Sequence, residues 1–240
     1  MNYAILLSGG AGTRIKSDVP KQYVRVDGWM IVTFALESLM RSDCVDAVYI
    51  VAEHEWWESI LSDVRETGLD TDKIRGFSDP GRVRQESIFN GMQGIIDNLK
   101  DSDREIGEGD TVLIHDAARP MLSEEMIEGG YAALPGHDGV MPVLPMKDTV
   151  YMSDDGRSVS ELLDRSRVFA GQAPELFYFK PYFEAVRRLI PDKILKINGA
   201  SEPAVMAGMD IAMIPGDEGN FKITTDTDME RFRKLMEGRG

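Results

Sequence analysis

Cysteine is nearly missing from this 240-residue chain: Cys44 is the single copy. No intramolecular disulfide can form, which fits a reducing compartment, and a chain of this length can bury a core without staples. Lying just before a strand-like run, Cys44 reads as a small buried or half-buried residue rather than a nucleophile. Long apolar runs are missing too. None approaches the roughly 18 residues of a membrane span, and the N-terminus enters a strand with no basic region before it. Neither a spanning helix nor a signal peptide is expected, and the expected location is cytoplasmic. Positive charge is also short. Lys and Arg number 27 against 41 Asp and Glu, a net charge of -14. Such a chain repels phosphate backbones and anionic bilayers, which argues against nucleic acid or membrane as partners. It does not exclude a small anionic substrate, because a few local cations can govern a site. Repeats, low-complexity tracts and linkers are absent, so residues 1–240 are expected to form one domain.

What is present is an alternation of short apolar runs with amphipathic stripes. Tyr3–Leu7, Ala47–Val51, Thr111–Ile114, Gly139–Val143 and Asp210–Pro215 read as strands. Helical stripes run through Ile31, Phe34, Ala35 and Leu39, through Trp57, Ile60, Leu61 and Val64, and most clearly through Ile88, Met92, Ile95, Ile96 and Leu99. Others pass through Met126 to Leu134, Tyr182 to Leu189, and Met229 to Met236. This order predicts an α/β fold with a mainly parallel sheet and helices on both faces. The acidic stretch 101–110 reads as a solvated loop. After Val143 the pattern changes: Thr149–Met152, an Asp154-Asp155-Gly156 turn and Ser158–Ser160 predict a β-hairpin. It carries too little apolar surface to form its own core and must lean on the parent domain or on a second subunit.

Four blocks have the character of a site. Ser8-Gly9-Gly10-Ala11-Gly12-Thr13-Arg14 follows the first strand, where backbone N–H groups can approach a phosphate. A dinucleotide fingerprint would need glycine at position 15, which is Ile15, and a Walker loop would need lysine after Gly12. The loop instead ends in arginine and is followed by Pro20-Lys21-Gln22, which sets two cations beside a phosphate-shaped turn. The second block is Asp79-Pro80-Gly81-Arg82-Val83-Arg84-Gln85-Glu86-Ser87, where Ser87 is either a helix N-cap or part of a nucleotide-contacting turn. The third is His115-Asp116-Ala117-Ala118-Arg119-Pro120, at the carboxyl end of a strand. Asp116 is suited to a hydroxyl or a metal-bound water and Arg119 to a phosphate, although the same two residues would also make a structural pair. His115 reads as structural. In the fourth block, Asn220-Phe221-Lys222-Ile223-Thr224-Thr225-Asp226, Lys222 is either an edge residue with a solvated head or a phosphate ligand, and Thr225 or Asp226 is the expected N-cap of the last helix.

Taken in order, these blocks resemble the IspD family, the 2-C-methyl-D-erythritol 4-phosphate cytidylyltransferases and their ribitol-5-phosphate relatives, from Ala4 to Met236. The motifs that carry the resemblance are Gly-Gly-x-Gly-Thr-Arg with Pro-Lys-Gln, His-Asp-Ala-Ala-Arg-Pro, Pro-x-x-Asp-Thr and Asn-x-Lys-Ile-Thr. It implies a Rossmann-like nucleotidyltransferase fold with a protruding arm at about 145–168 that embraces a second subunit in a homodimer. It implies transfer of CMP from CTP to a polyol phosphate, with Mg²⁺ leaving on pyrophosphate. Arg14, Lys21, Lys222 and Arg165 would be the catalytic cations. Ser8, Gly9, Gly10, Gly12, Gly81, Ser87 and Ala117 would hold the nucleotide, and Asp116, Arg119, Thr149, Asn198 and Thr224 the acceptor. The resemblance assigns no metal ligand. Two stretches depart from the family pattern. Gln-Thr-Pro-Gln reads Gln172-Ala173-Pro174-Glu175, and Thr-Asp-Asp/Glu-Ala-Ser reads Asn198-Gly199-Ala200-Ser201-Glu202. Both usual threonines belong to the acceptor side, so methylerythritol phosphate and ribitol phosphate compete as acceptor. A nucleotidyltransferase using another base, a catalytically silent nucleotide-binding module and an oxidoreductase are the remaining alternatives, the last failing on the missing glycine.

Overall fold

The structure is a computed structural model and describes residues 1–10 and 19–238. The chain opens with β1 (Asn2–Leu7). A short ribbon, β2 (Arg25–Val26) and β3 (Trp29–Met30), leads into α1 (Ile31–Arg41). Then follow β4 (Ala47–Val51), α2 (Trp57–Glu66), β5 (Ile74–Ser78), α3 (Arg84–Lys100), β6 (Thr111–Asp116) and α4 (Glu124–Ala133). The second half runs through β7 (Gly139–Pro145), the hairpin β8 (Val150–Met152) and β9 (Glu161–Leu163), β10 (Phe169–Gly171) and β11 (Glu175–Tyr178). It ends with α5 (Phe179–Arg187), α6 (Glu202–Met206), β12 (Ile211–Pro215) and α7 (Asp226–Glu237).

One 8-stranded sheet has the order β10-β7-β11-β6-β1-β4-β5, with β12 on the free side of β7. Strands β6, β1, β4 and β5 pair in parallel, as do β7 and β12; β10 and β11 run the other way. The predicted parallel sheet is therefore mixed on one side, where β11 slots antiparallel between β6 and β7. That strand is hard to read in advance: it begins on a charged residue, Glu175, and runs without a break into α5. Strand β5 was also hidden, because Arg75 and Gly76 interrupt its apolar pattern.

Side chains alternate across the sheet as strand geometry requires. Ala4, Leu6, Val48 and Ile50 face α1, α2 and α4, while Tyr3, Ile5, Tyr49 and Val51 face α3 and α5. A third cluster joins Met229, Phe232 and Met236 of α7 to Ile31 and Phe34 of α1 and buries Ile223. Thr225 is the N-cap of α7, in a reciprocal capping box with Asp228. Cys44 is half-buried. Among the described residues no helix is long and apolar enough to cross a membrane.

Between Pro145 and Phe169 the chain leaves the sheet, and β10 closes the excursion by pairing back on β7. The hairpin stands on its own as a two-stranded sheet, with Tyr151, Val159 and Leu162 57 %, 65 % and 63 % exposed. Its second strand begins at Glu161 rather than Ser158. The Asp155 carboxylate accepts the backbone N–H groups of Arg157 and Ser158, taking donors that would otherwise enter the ladder.

Phe232 is fully buried and meets Phe34 edge-on, with ring centroids 5.2 Å apart. Phe232→Ala is expected to cost about 3–5 kcal/mol, read as a lower denaturation midpoint. A loss below about 1 kcal/mol would show that α7 contributes little to the core.

Candidate active site

Parallel pairing brings Leu7 opposite Asp116 and Leu7 opposite Val51, so three strands end together. The turns that leave β1 and β6, together with residues 81–84 at the start of α3 and the segment with Lys222 and Thr224, line a cavity of 440 Å³. This is the crevice beyond the carboxyl ends of the strands in which open α/β sheets bind ligands.

The glycine turn is braced from beneath. The buried amide of Gln22 donates to the Ser8 and Gly10 carbonyls at 2.6 and 2.9 Å, and the Tyr23 hydroxyl donates to the Ser8 carbonyl at 2.8 Å. Gly9 lies so close to Pro80 that a Cβ there would collide with the proline ring, and a Cβ on Gly81 would strike Glu86 and the Ser87 backbone. These two glycines let the turns touch. Ser87 is not the cap of α3. The helix begins at Arg84 with Val83 as its cap residue. The Ser87 hydroxyl sits one turn in, accepting from the Gly81 N–H at 3.0 Å and donating to the Val83 carbonyl at 3.2 Å, so it fastens the turn.

Among the described residues four cations line the cavity, Lys21, Arg82, Arg84 and Lys222, against one carboxylate, Asp116. Lys222 Nζ lies 2.8 Å from Asp116 Oδ2, and Arg84 Nε and Nη2 each lie 3.1 Å from Oδ1. Lys21 Nζ donates to the Ile223 carbonyl, and the Ile223 N–H donates to the Ala118 carbonyl at 2.8 Å. The segment that carries Lys222 is thereby stitched between the glycine turn and the end of β6. Burial opposes ionisation of Asp116, but Arg84 and Lys222 outweigh it and hold the carboxyl well below its usual range. His115 is fully buried, and burial pushes its pKa down to about 4. Its Nε2 faces the Arg119 carbonyl at 3.0 Å, so that nitrogen carries the proton and the ring is neutral near pH 7.

The cavity wall thus gathers Lys21, Lys222, Asp116 and Thr224 with Ser8, Gly9, Gly10, Gly81, Ser87 and Ala117. Gly12 and Arg14 lie outside the described residues. Thr224 commits its hydroxyl to Asp228 at 2.8 Å. Arg119 does not reach the cavity. The chain turns immediately after β6, and its Nη1 donates to the Asn220 carbonyl at 2.6 Å, bracing the segment before Lys222 instead of presenting a fork to a phosphate. Asn198 is exposed and outside the wall, with its backbone N–H on Glu202. Thr149 and Arg165 belong to the arm, where Arg165 Nη1 donates to the Lys147 carbonyl at 2.8 Å. Sequence reasoning gave no separate role to Gln22 or Arg84. The adjacent basic residues Arg82 and Arg84 were a visible signal, but which of them turns inward is decided by the first turn of α3.

Among the described residues no three His, Cys, Asp or Glu side chains gather, and Asp116 already serves two cations. A divalent ion in this cavity would be held mainly by phosphate oxygens of a ligand.

A sequence model of the family described as 2-C-methyl-D-erythritol 4-phosphate cytidylyltransferase, IspD, matches residues 3–237. The bifunctional enzyme IspD/IspF of Maricaulis maris is 31 % identical over 237 residues; the match covers 97 % of this chain and 56 % of that protein, so this chain spans about half of its length. The ribitol-5-phosphate cytidylyltransferase of Streptococcus agalactiae is 28 % identical, with 100 % and 97 % covered. Among solved structures, 4-diphosphocytidyl-2C-methyl-D-erythritol synthase from Anaerococcus prevotii superposes with a TM-score of 0.80 at 25 % identity, over 98 % of this chain and 96 % of that one.

The depressed Asp116 carboxyl adds stability above the ordinary aspartate pKa of about 3.9, and that stability is lost as pH falls toward the folded value. Removing Lys222 raises the folded value. Lys222→Ala is therefore expected to unfold at a higher pH in an acid titration followed by circular dichroism. An unchanged acid midpoint would show that Lys222 does not hold Asp116.

Proposed function

The chain belongs to the 2-C-methyl-D-erythritol 4-phosphate cytidylyltransferase (IspD) family, and from that premise we propose that it transfers CMP from CTP to a polyol phosphate and releases pyrophosphate. The observation that carries this reading is the meeting of Lys21 and Lys222 at one cavity beside a glycine turn, in a chain whose net charge is -14. An acceptor phosphate oxygen attacks the α-phosphorus of CTP in line. A new P–O bond forms as the bond to the β-phosphate oxygen breaks, and pyrophosphate departs. Two anions must approach, so the protein's task is to align them and to neutralise charge that grows on the α-phosphate. Lys21 and Lys222 supply that charge. The backbone of Ser8–Gly10 and the Gly81 turn cradle the nucleotide, and Asp116 accepts from an acceptor hydroxyl. No side-chain nucleophile takes part. Mg²⁺ bound to the CTP phosphates would neutralise part of the triphosphate charge, with Lys21 and Lys222 supplying the protein's share. The same reading gives the protein a cytoplasmic location.

2-C-methyl-D-erythritol 4-phosphate is the acceptor we propose first, supported by the family description. Ribitol 5-phosphate is the second reading, favoured by the streptococcal relative. We also propose that the arm clasps a second copy of the chain, since Tyr151, Val159 and Leu162 lie exposed on it. Arg165 and Thr149 would then complete the neighbour's site.

Pyrophosphate release from CTP against both polyol phosphates is the direct test. The wild-type chain should turn over with one of them and not with UTP, GTP or ATP, and Lys21→Ala should lose about a hundredfold or more while its stability falls by no more than about 1.5 kcal/mol, the loss of its bond to the Ile223 carbonyl. CTP binding with no pyrophosphate from any acceptor would favour a silent nucleotide-binding module. Sedimentation should give twice the mass of one chain; a monomer at micromolar concentration would remove the arm from the dimer.

A further inference from the structure

Behind the cavity wall, Arg84 faces two carboxylates. Its Nη2 is 3.1 Å from Asp116 Oδ1 and 3.6 Å from Glu175 Oε1. Asp116 lines the cavity, while Glu175 lies at the start of β11 and does not. Glu175 is 7 % exposed. Burial raises its carboxyl pKa and the adjacent Arg84 opposes that rise, as does Ser201 through its hydroxyl and backbone N–H. Guanidinium–carboxylate pairs frequently meet as a two-pronged fork. Here Arg84 spends Nε and Nη2 on Asp116 and meets Glu175 at one edge, and both Arg84 Nη1 and Glu175 Oε2 are buried with no hydrogen-bond partner.

The wall around this pair is continuous. Gln85 donates from its side-chain amide to the Gly199 carbonyl, and the Tyr182 hydroxyl donates to the Ala200 carbonyl at 2.7 Å. The two stretches in which the chain departs from its family's pattern, 172–175 and 198–202, therefore meet behind Arg84. We infer that Glu175 is a positioning and specificity-determining residue. It shares the Arg84 guanidinium from behind, fixes the direction in which Arg84 presents Asp116 to the cavity, and so sets how hydroxyl groups of the acceptor are read. The nucleotide side, built from the glycine turn and the Gly81 turn, does not depend on it. This inference rests on the transferase reading above.

Steady-state kinetics of the full chain test it, with each substrate varied at saturation of the other. Glu175→Gln keeps the shape and removes the charge; it should raise KM for the polyol phosphate about tenfold and leave KM for CTP within about twofold. In an Arg84→Lys background the same change should add less than about twofold, because Glu175 acts through Arg84. Glu175→Asp, which withdraws the charge from Arg84, should give the same split and serves if Glu175→Gln does not fold. Unchanged kinetics, equal losses toward both substrates, or full additivity with Arg84→Lys would overturn the role while leaving the transferase reading in place. A wild-type chain that releases no pyrophosphate with any polyol phosphate would overturn both.

Discussion

Asp116 between Arg84 and Lys222 is the contact on which the site is built. The three residues come from the end of β6, the first turn of α3 and the segment before α7. A carboxylate buried at 8 % exposure is costly unless it is paired. Its two partners therefore have to be where they are, and each brings a length of backbone with it. Arg84 ties the first turn of α3 to the end of β6. Lys222 fixes the last loop, which the Ile223 N–H and the Lys21 ammonium fasten from either side.

This arrangement reconciles an acidic chain with an anionic ligand. A net charge of -14 repels phosphate at long range, but that field is screened within about 8–10 Å at ordinary ionic strength. Among the described residues the cavity is lined by four cations and one carboxylate. Glu86 pairs with Arg82 and Glu175 meets Arg84 from behind, so four cations stand against three carboxylates and the local balance stays positive. Close packing at Gly9 and Gly81 lets backbone approach where side chains could not. The arm follows a different logic: its hairpin leaves Tyr151, Val159 and Leu162 exposed, and its two ends meet at β7 so that it projects from a fixed base.

Much of this was legible in the order of residues. Buried strands announced themselves as short branched runs, because a strand covered on both faces needs little polarity. The helices showed in stripes such as Ile88, Met92, Ile95 and Leu99, all buried here. Lys21 and Lys222 stood out because lysine beside a glycine turn, or within an apolar segment, asks for a partner. Less was legible where polarity served packing. Strand β11 opens on a buried glutamate, and Arg119 has the look of a phosphate ligand yet spends its guanidinium on a backbone carbonyl. Ser87 looked like a cap because serine is common there, but α3 had already begun at Arg84.

By itself the sequence determined the class of fold, the position of the glycine turn at the end of the first strand, the projecting hairpin and the family to which the chain belongs. The first three follow from local periodicity and turn chemistry, and the family from the resemblance of four motif blocks, confirmed by the family model. Tertiary structure alone decided which charges share a partner: Arg84 with Asp116 and Glu175 together, Lys222 with Asp116, and Arg119 with the loop that precedes Lys222. Such pairings join residues 32 to 106 positions apart, and electrostatic energy depends on separation in space, which no local pattern encodes.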